Sequence, residues 1–78
     1  MTLDQVSENQ EVVVKNLLGG FGLRRRLHGL GIYPGERLKV LNSALMRGPI
    51  LLEVRGVEVA IGRGVAGKVE VELWTGKK

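Results

Sequence analysis

The stretch that decides the fold is GGFGLRRRLHGLGIYPG, which runs from Gly19 to Gly35. Leu23, Leu27 and Leu30 recur at i, i+4 and i+7, a spacing that predicts one apolar face of a short helix. Gly31 follows the last of these leucines, and a left-handed residue without a Cβ ends a helix at little cost. The Pro34-Gly35 pair then prevents the helix from continuing. These residues predict a single short amphipathic helix.

Three glycines, Gly19, Gly20 and Gly22, lead into the start of this helix. A glycine-rich turn before a helix is typical of phosphate-binding loops. Such a loop needs a lysine followed by Ser or Thr, whereas Leu23 and Arg24 follow the last glycine here. We therefore interpret the glycines as serving a strand-to-helix turn, through positive φ angles and close backbone approach.

The chain on both sides of the helix reads as strands. Glu11 to Leu17 is a β-branched run that predicts a first strand, with its inward set left open between Val12/Val14 and Val13/Lys15/Leu17. Four later segments alternate apolar and largely polar residues, as expected of an antiparallel sheet with one face on a core. Their apolar residues are Leu38 and Val40; Ile50, Leu52 and Val54; Val57, Val59 and Ile61; and Val69, Val71 and Leu73.

Turn and cap residues divide these segments. Gly48-Pro49 and Gly56 mark turns, and Gly64 to Gly67 reads as a tight connector. At the N-terminus Thr2 is placed to cap a single helical turn, with Gln5 three residues later.

Five short strands and one helix fit a small barrel better than an open sheet, because a solvated apolar face is costly. We predict a mainly β fold: a small SH3-like barrel of about five antiparallel strands with one short inserted α-helix, ahead of an OB-like barrel. The 78 residues are expected to form a single domain, complete from Met1, with a loose C-terminal tail from about residue 75.

Composition excludes several classes of protein. With no cysteine there is no disulfide framework and no zinc-thiolate site. No apolar run approaches the roughly 20 residues of a membrane span, and no leader pattern precedes the first strand. We expect a soluble cytoplasmic protein that does not insert into the membrane.

Catalysis and cofactor binding find little support. The chain has one histidine, His28, and one aspartate, so no nucleophile, base and orienting acid can be assembled. One imidazole without a thiolate is a poor donor set for transition metals. We expect no enzyme activity, no cofactor and no metal ligands, and we interpret His28 as a solvated side chain on the polar side of the helix.

Residues suited to docking are easier to find. The net charge of +4 favours an acidic partner, and exposed apolar groups often mark protein contacts. The candidates are Arg24, Arg25 and His28 on the helix, Leu45 and Met46 in the loop from Asn42 to Pro49, and Trp74 on the outward phase of the last strand. The alternative is a small basic barrel that binds RNA or DNA. Three aromatic residues, widely scattered, are few for a base-stacking platform, so no nucleic acid is expected.

Taken together, the motifs resemble the FeoA family, the small cytosolic component of bacterial ferrous iron uptake. The resemblance rests on Gly19-Gly20, Leu23 to Leu27, Leu30-Gly31-Ile32 and Pro34-Gly35, with support from Gly48-Pro49-Ile50, Val54, Gly56 and Val57 to Ile61. It implies an SH3-like barrel with an inserted helix. It also implies a non-enzymatic accessory role at the inner face of the plasma membrane, with a membrane ferrous iron transporter that bears a cytosolic GTPase domain as partner.

Two departures from the family pattern affect the expectations. Glu8-Asn9 stands where relatives often have Pro-Gly, and Asn tolerates a left-handed turn. Gly62, Gly64 and Gly67 stand where the family tends to carry charged helix formers, and they disfavour a second short helix. The oligomeric state stays open, because exposed strand edges can pair with one another. Whether iron or another transition metal ion contacts the chain also stays open.

Overall fold

The computed structural model describes residues 1–42 and 48–76. The elements in chain order are a 3₁₀ helix (Leu3–Gln5), β1 (Glu11–Leu17), α1 (Phe21–Gly29), β2 (Arg37–Val40), β3 (Ile50–Val54), β4 (Val57–Ile61), α2 (Arg63–Ala66) and β5 (Val69–Leu73). The Thr2 N–H donates a hydrogen bond to Gln5 Oε1 at 2.9 Å, as the predicted cap requires. No helix in the described residues is both long and apolar enough to cross a bilayer.

The strands form one antiparallel sheet in the order β4-β3-β2-β1-β5, which confirms the predicted mainly β architecture with an inserted helix. β1 pairs with both β2 and β5, and its register shifts between Val14 and Asn16. This irregularity turns Val12, Val14 and Leu17 all toward the core. The two inward sets left open for β1 are therefore both partly right.

The core of the described residues is apolar, and α1 contributes Leu27 to it while the 3₁₀ helix contributes Leu3. Its members are Leu3, Val6, Val12, Val14, Leu17, Leu27, Ile32, Leu38, Val40, Ile50, Leu52, Val54, Ile61, Ala66, Val69 and Val71. Most of the alternation-based predictions are thereby confirmed.

The predicted apolar face of α1 is right for Leu27 and Leu23 but wrong for Leu30. Leu27 is buried and Leu23 is partly buried against the core, whereas Leu30 is 40% exposed. α1 ends at Gly29, so Leu30 lies just outside the helix and does not continue the apolar face formed by Leu23 and Leu27. Gly31 has φ +85°, as predicted, and this turn brings the buried Ile32 back, with its N–H 2.8 Å from the Leu27 carbonyl oxygen.

Two strand-end predictions are also wrong. Val57 is 60% exposed although Val54, its partner on β3, is buried, because β4 is an outer strand of the sheet. Leu73, at the last position of β5, is 47% exposed. Alternation predicts the side of the sheet on which a residue lies, but it does not predict that β4 and β5 are the outer strands, where the ends are covered less than on the inner strands.

The predicted Gly64 to Gly67 connector overlaps a second short helix, α2 (Arg63–Ala66), which forms although its glycines disfavour it. Its turn is held by the Ala66 N–H to the Gly62 carbonyl at 2.9 Å and the Gly67 N–H to the Arg63 carbonyl at 3.1 Å. Ala66 is completely buried. Burial of this side chain favours the helical turn over the intrinsic preference of its glycines.

The glycines before α1 do not have positive φ angles, and at Gly19 glycine is required because a side chain would clash with a neighbour. The positive-φ glycines are Gly31, Gly35, Gly48, Gly56 and Gly76, and Gly20 has φ −76°. The prediction of positive φ at Gly19, Gly20 and Gly22 is therefore wrong. A Cβ on Gly19 would overlap Leu23 Cδ2, so the predicted close approach holds at that residue.

Candidate functional site

One face of α1 is left uncovered by the rest of the described chain. Phe21, Arg24, Arg25 and His28 recur at i, i+3, i+4 and i+7, so they share a face turned away from the buried Leu27. We call these four residues the α1 surface. They line a shallow cavity of about 450 Å³, and Phe21 is 78% exposed. An exposed aromatic ring beside cations is the composition expected of a protein contact.

The charges of the α1 surface are not neutralised within residues 1–42 and 48–76. The ion pairs there join Lys15 to Glu72, Arg37 to Glu11 and Arg55 to Glu36, and none involves α1. Arg26 and His28 stand in the last turn of α1, where the helix dipole favours positive charge. The surface therefore presents positive charge to whatever approaches it.

A chain of contacts runs from the α1 surface to the β3–β4 turn. The His28 and Tyr33 rings lie with centroids 5.3 Å apart and planes tilted by 31°. Arg55 Nη2 donates to the Tyr33 hydroxyl at 2.5 Å and lies 2.7 Å from Glu36 Oε2. The Glu36 contact is an ion pair without good hydrogen-bond alignment. These four side chains connect α1 to the turn.

Arg55 has a backbone conformation that arginine seldom adopts. Its φ is +52° and that of Gly56 is +82°, which is the type I′ geometry of a two-residue hairpin. A non-glycine residue in this region is strained, so its side-chain contacts must help to hold it. The Arg55 guanidinium lowers the pKa of Glu36, against the opposing effect of burial.

Trp74 lies apart from the α1 surface. Its N–H donates to the Glu11 carbonyl at 2.8 Å, and the Arg37 guanidinium carbon is 4.9 Å from its ring centroid. Glu11 begins β1, whereas α1 follows the other end of that strand, roughly 20 Å away for seven residues at 3.3 Å each. The structure therefore separates Trp74 from Arg24, Arg25 and His28, with which the sequence grouped it.

The remaining predicted contacts, Leu45 and Met46, lie outside the described residues. Phe21 is the member of the α1 surface that the sequence-based prediction omits. Its spacing to Arg24, Arg25 and His28 is the signal that places it on their face.

In the part of the chain that the structure describes, no three His, Asp or Glu side chains gather in a way that could hold a metal ion. A second cavity, of about 290 Å³, is lined mainly by charged residues of both signs, among them Glu36, Arg37, Lys39, Glu53 and Arg55.

The curled five-stranded sheet with an inserted helix defines the protein as a small SH3-like barrel domain, and the comparisons identify the family. A family model described as "FeoA domain" matches residues 1–73. A protein of Methanocaldococcus jannaschii named "Putative Fe(2+) transport protein A" is 42% identical over 65 residues, which are 83% of this chain and 77% of that protein. The chain belongs to the FeoA domain family.

Solved structures agree with this assignment. A crystal structure of an "Iron Uptake Regulatory Protein (FeoA)" has a TM-score of 0.87 and 38% identity, covering 95% of this chain and 96% of that one. The solution structure of a FeoA protein from Chlorobium tepidum has a TM-score of 0.86 and 28% identity, covering 100% of this chain and 74% of that one. The predicted family and SH3-like fold are confirmed.

Proposed function

We propose that the chain is a non-enzymatic, cytoplasmic accessory protein of ferrous iron uptake, and that its α1 surface docks on the cytosolic, GTPase-bearing part of a membrane ferrous iron transporter. The observation that carries the proposal is the α1 surface itself, an exposed Phe21 set among Arg24, Arg25 and His28. Membership of the FeoA domain family and the Fe(2+) transport names of its relatives supply the biological setting.

The positive charge of the α1 surface would orient the protein as it approaches the transporter. Arg24 and Arg25 have no acidic partner in the described residues, so an acidic patch on the transporter would gain their full attraction. Complementary charge of this kind raises the association rate and orients the encounter more than it raises the final affinity.

Burial of Phe21 in the complex would slow its dissociation. A ring that is 78% exposed in the free protein can be buried by a partner at little conformational cost, since it has two side-chain torsions. Burial of an aromatic side chain acts mainly on the dissociation rate. The α1 surface thus combines a residue that slows dissociation with residues that speed association.

The test is a kinetic binding measurement against the isolated cytosolic part of the transporter at low and physiological salt. Arg25→Glu should slow association about tenfold at low salt with little change in dissociation. Arg63→Glu, the same change at an exposed arginine on α2, is the matched control and should leave both rates near those of the parent.

Phe21→Ala should instead speed dissociation about tenfold or more. Leu73→Ala, which trims an exposed side chain on β5, is its control. Equal rates for Arg25→Glu and Arg63→Glu would refute docking through the α1 surface. Tight binding to random RNA or DNA that falls steeply with salt would favour the nucleic-acid alternative.

A further inference from the structure

The two edges of the sheet are treated differently by the chain. At the β5 edge, Thr2 forms a bridge with Glu70, and the Val71 N–H donates to the Met1 carbonyl at 2.8 Å. The N-terminal residues therefore cover that edge. At the β4 edge, by contrast, residues 1–42 and 48–76 supply no strand beyond β4.

The β3–β4 turn fixes which backbone groups of β4 face outward. In a two-residue hairpin the closing pair, Val54 and Val57, is hydrogen-bonded, and bonded pairs alternate along the ladder. Val59 and Ile61 thus bond to β3 as Val57 does. Glu58 and Ala60 direct their N–H and C=O groups away from the sheet.

Apart from the charge of Glu58, β4 lacks the features that usually protect an edge strand. Its register with β3 is continuous over all five residues, without a bulge, proline or lysine. Its side chains leave apolar surface in water, with Val57 60% exposed and Val59 partly buried against the core. An edge of this kind is a template for pairing with another strand.

We propose that β4 pairs with β4 of a second copy of this chain, antiparallel about a two-fold axis at Val59. In this register Glu58 lies opposite Ala60 of the other copy, so their outward backbone groups exchange hydrogen bonds at two symmetric positions. Val59 meets its own symmetry mate on the core side of the sheet. The pairing joins two sheets into one and is independent of the α1 surface.

Charge disfavours the neighbouring register whose two-fold axis lies at Glu58. Glu58 already lies opposite Glu53 on β3, a like-charged pair on the outer face. A two-fold axis at Glu58 would add a third carboxylate beside these two, whereas the axis at Val59 places the uncharged Ala60 there. Arg55, which the axis brings near Arg63 of the second copy, is already paired with Glu36.

A single strand pair is a small interface, so the dimer is weak and concentration-dependent. Two opposite charge changes at one exposed position test it. In Ala60→Lys, each of the two symmetric pairs places a lysine opposite Glu58 of the other copy. In Ala60→Glu, each pair places a glutamate opposite Glu58. The dimer dissociation constants of these two variants should differ about tenfold, with the lysine variant tighter and the parent between them.

The measurement is sedimentation equilibrium of the full chain up to millimolar concentration, with amide hydrogen exchange of Glu58 and Ala60. Protection of these two amides should rise with concentration. Val13→Lys and Val13→Glu, on a half-buried position of β1 that is paired on both sides, are charge controls and should leave self-association equal.

A parent chain that stays monomeric at millimolar concentration would overturn the proposal. A dimer weakened equally by Ala60→Lys and Ala60→Glu would also overturn it, because equal effects are expected if residue 60 lies opposite residue 60 of the second copy and not opposite Glu58. Failure here would leave the binding kinetics of the α1 surface unchanged, so the two proposals fail separately.

Discussion

Leu27 is the main anchor of α1, and its truncation should cost a large share of the stability of the domain. Its side chain is 1% exposed, while the other apolar residue on that face, Leu23, is only partly buried. Replacing a buried leucine by alanine removes its burial and leaves a cavity, at about 2–5 kcal/mol. A 78-residue domain has a total stability of about 4–12 kcal/mol at typical values per residue.

Leu30→Ala is the matched control for Leu27→Ala. Leu30 is 40% exposed and lies beyond the end of α1, so its truncation should cost less than about 1 kcal/mol. Urea unfolding at 25 °C, followed by circular dichroism, measures both. With a denaturant slope of about 1 kcal/mol/M, Leu27→Ala should lower the midpoint by about 2 M or more.

The structure also predicts the effect of a charge at Leu27. Leu27→Asp places an unpaired carboxylate in a core without polar side chains, and this variant should be unfolded in the absence of denaturant. Equal midpoints for Leu27→Ala and Leu30→Ala, or a cooperative transition for Leu27→Asp close to that of the parent, would refute the assigned helix phase.

Three further predictions concern the turns and the far end of β1. Gly31→Ala should destabilise more than Gly35→Ala by urea midpoint, because both have positive φ but only at Gly31 would the added Cβ crowd a neighbour, at 3.1 Å; equal losses would contradict this. Arg55 holds the pKa of Glu36 below its ordinary value of 4.5, so this stabilisation is full above that value and is lost as the pH falls through the lowered pKa. The free energy of unfolding of Glu36→Gln should therefore fall less than that of the parent between pH 6 and pH 3, and an identical pH profile would contradict the ion pair. Trp74→Ala should leave the binding rates of the α1 surface unchanged, whereas slower association would return Trp74 to the docking surface.

Much of the fold follows from local patterns in the sequence. Alternation places the core residues of β2 and β3 correctly, and the end of α1 is set by Gly31 as expected. These features depend on neighbours in the chain, which the sequence displays directly.

The features that could not be predicted depend on distant contacts. The shift in β1 that buries Leu17 together with Val14 arises from pairing with β5. The exposure of Val57 depends on the position of β4 at the edge of the sheet. α2 forms because Ala66 finds a place in the core, which its glycine-rich surroundings do not reveal.

The candidate site was predicted in part. Arg24, Arg25 and His28 share an exposed helix face, as their spacing indicates. The alternation of β5 predicts that Trp74 faces outward, but it does not predict where along the sheet Trp74 lies. The pairing of β1 with β5 places Trp74 near the start of β1, at the end of that strand opposite α1. The docking role of these residues stays a prediction.

The measurement that tests the central claim most directly is ferrous iron uptake in cells that lack this protein. The cells would be restored with the parent chain, with a Phe21→Ala/Arg24→Glu/Arg25→Glu variant, or with Arg63→Glu as control, after each variant is shown to be folded and expressed at equal levels. We predict that the parent and the control restore uptake and that the triple variant does not. Full restoration by the triple variant would contradict docking through the α1 surface.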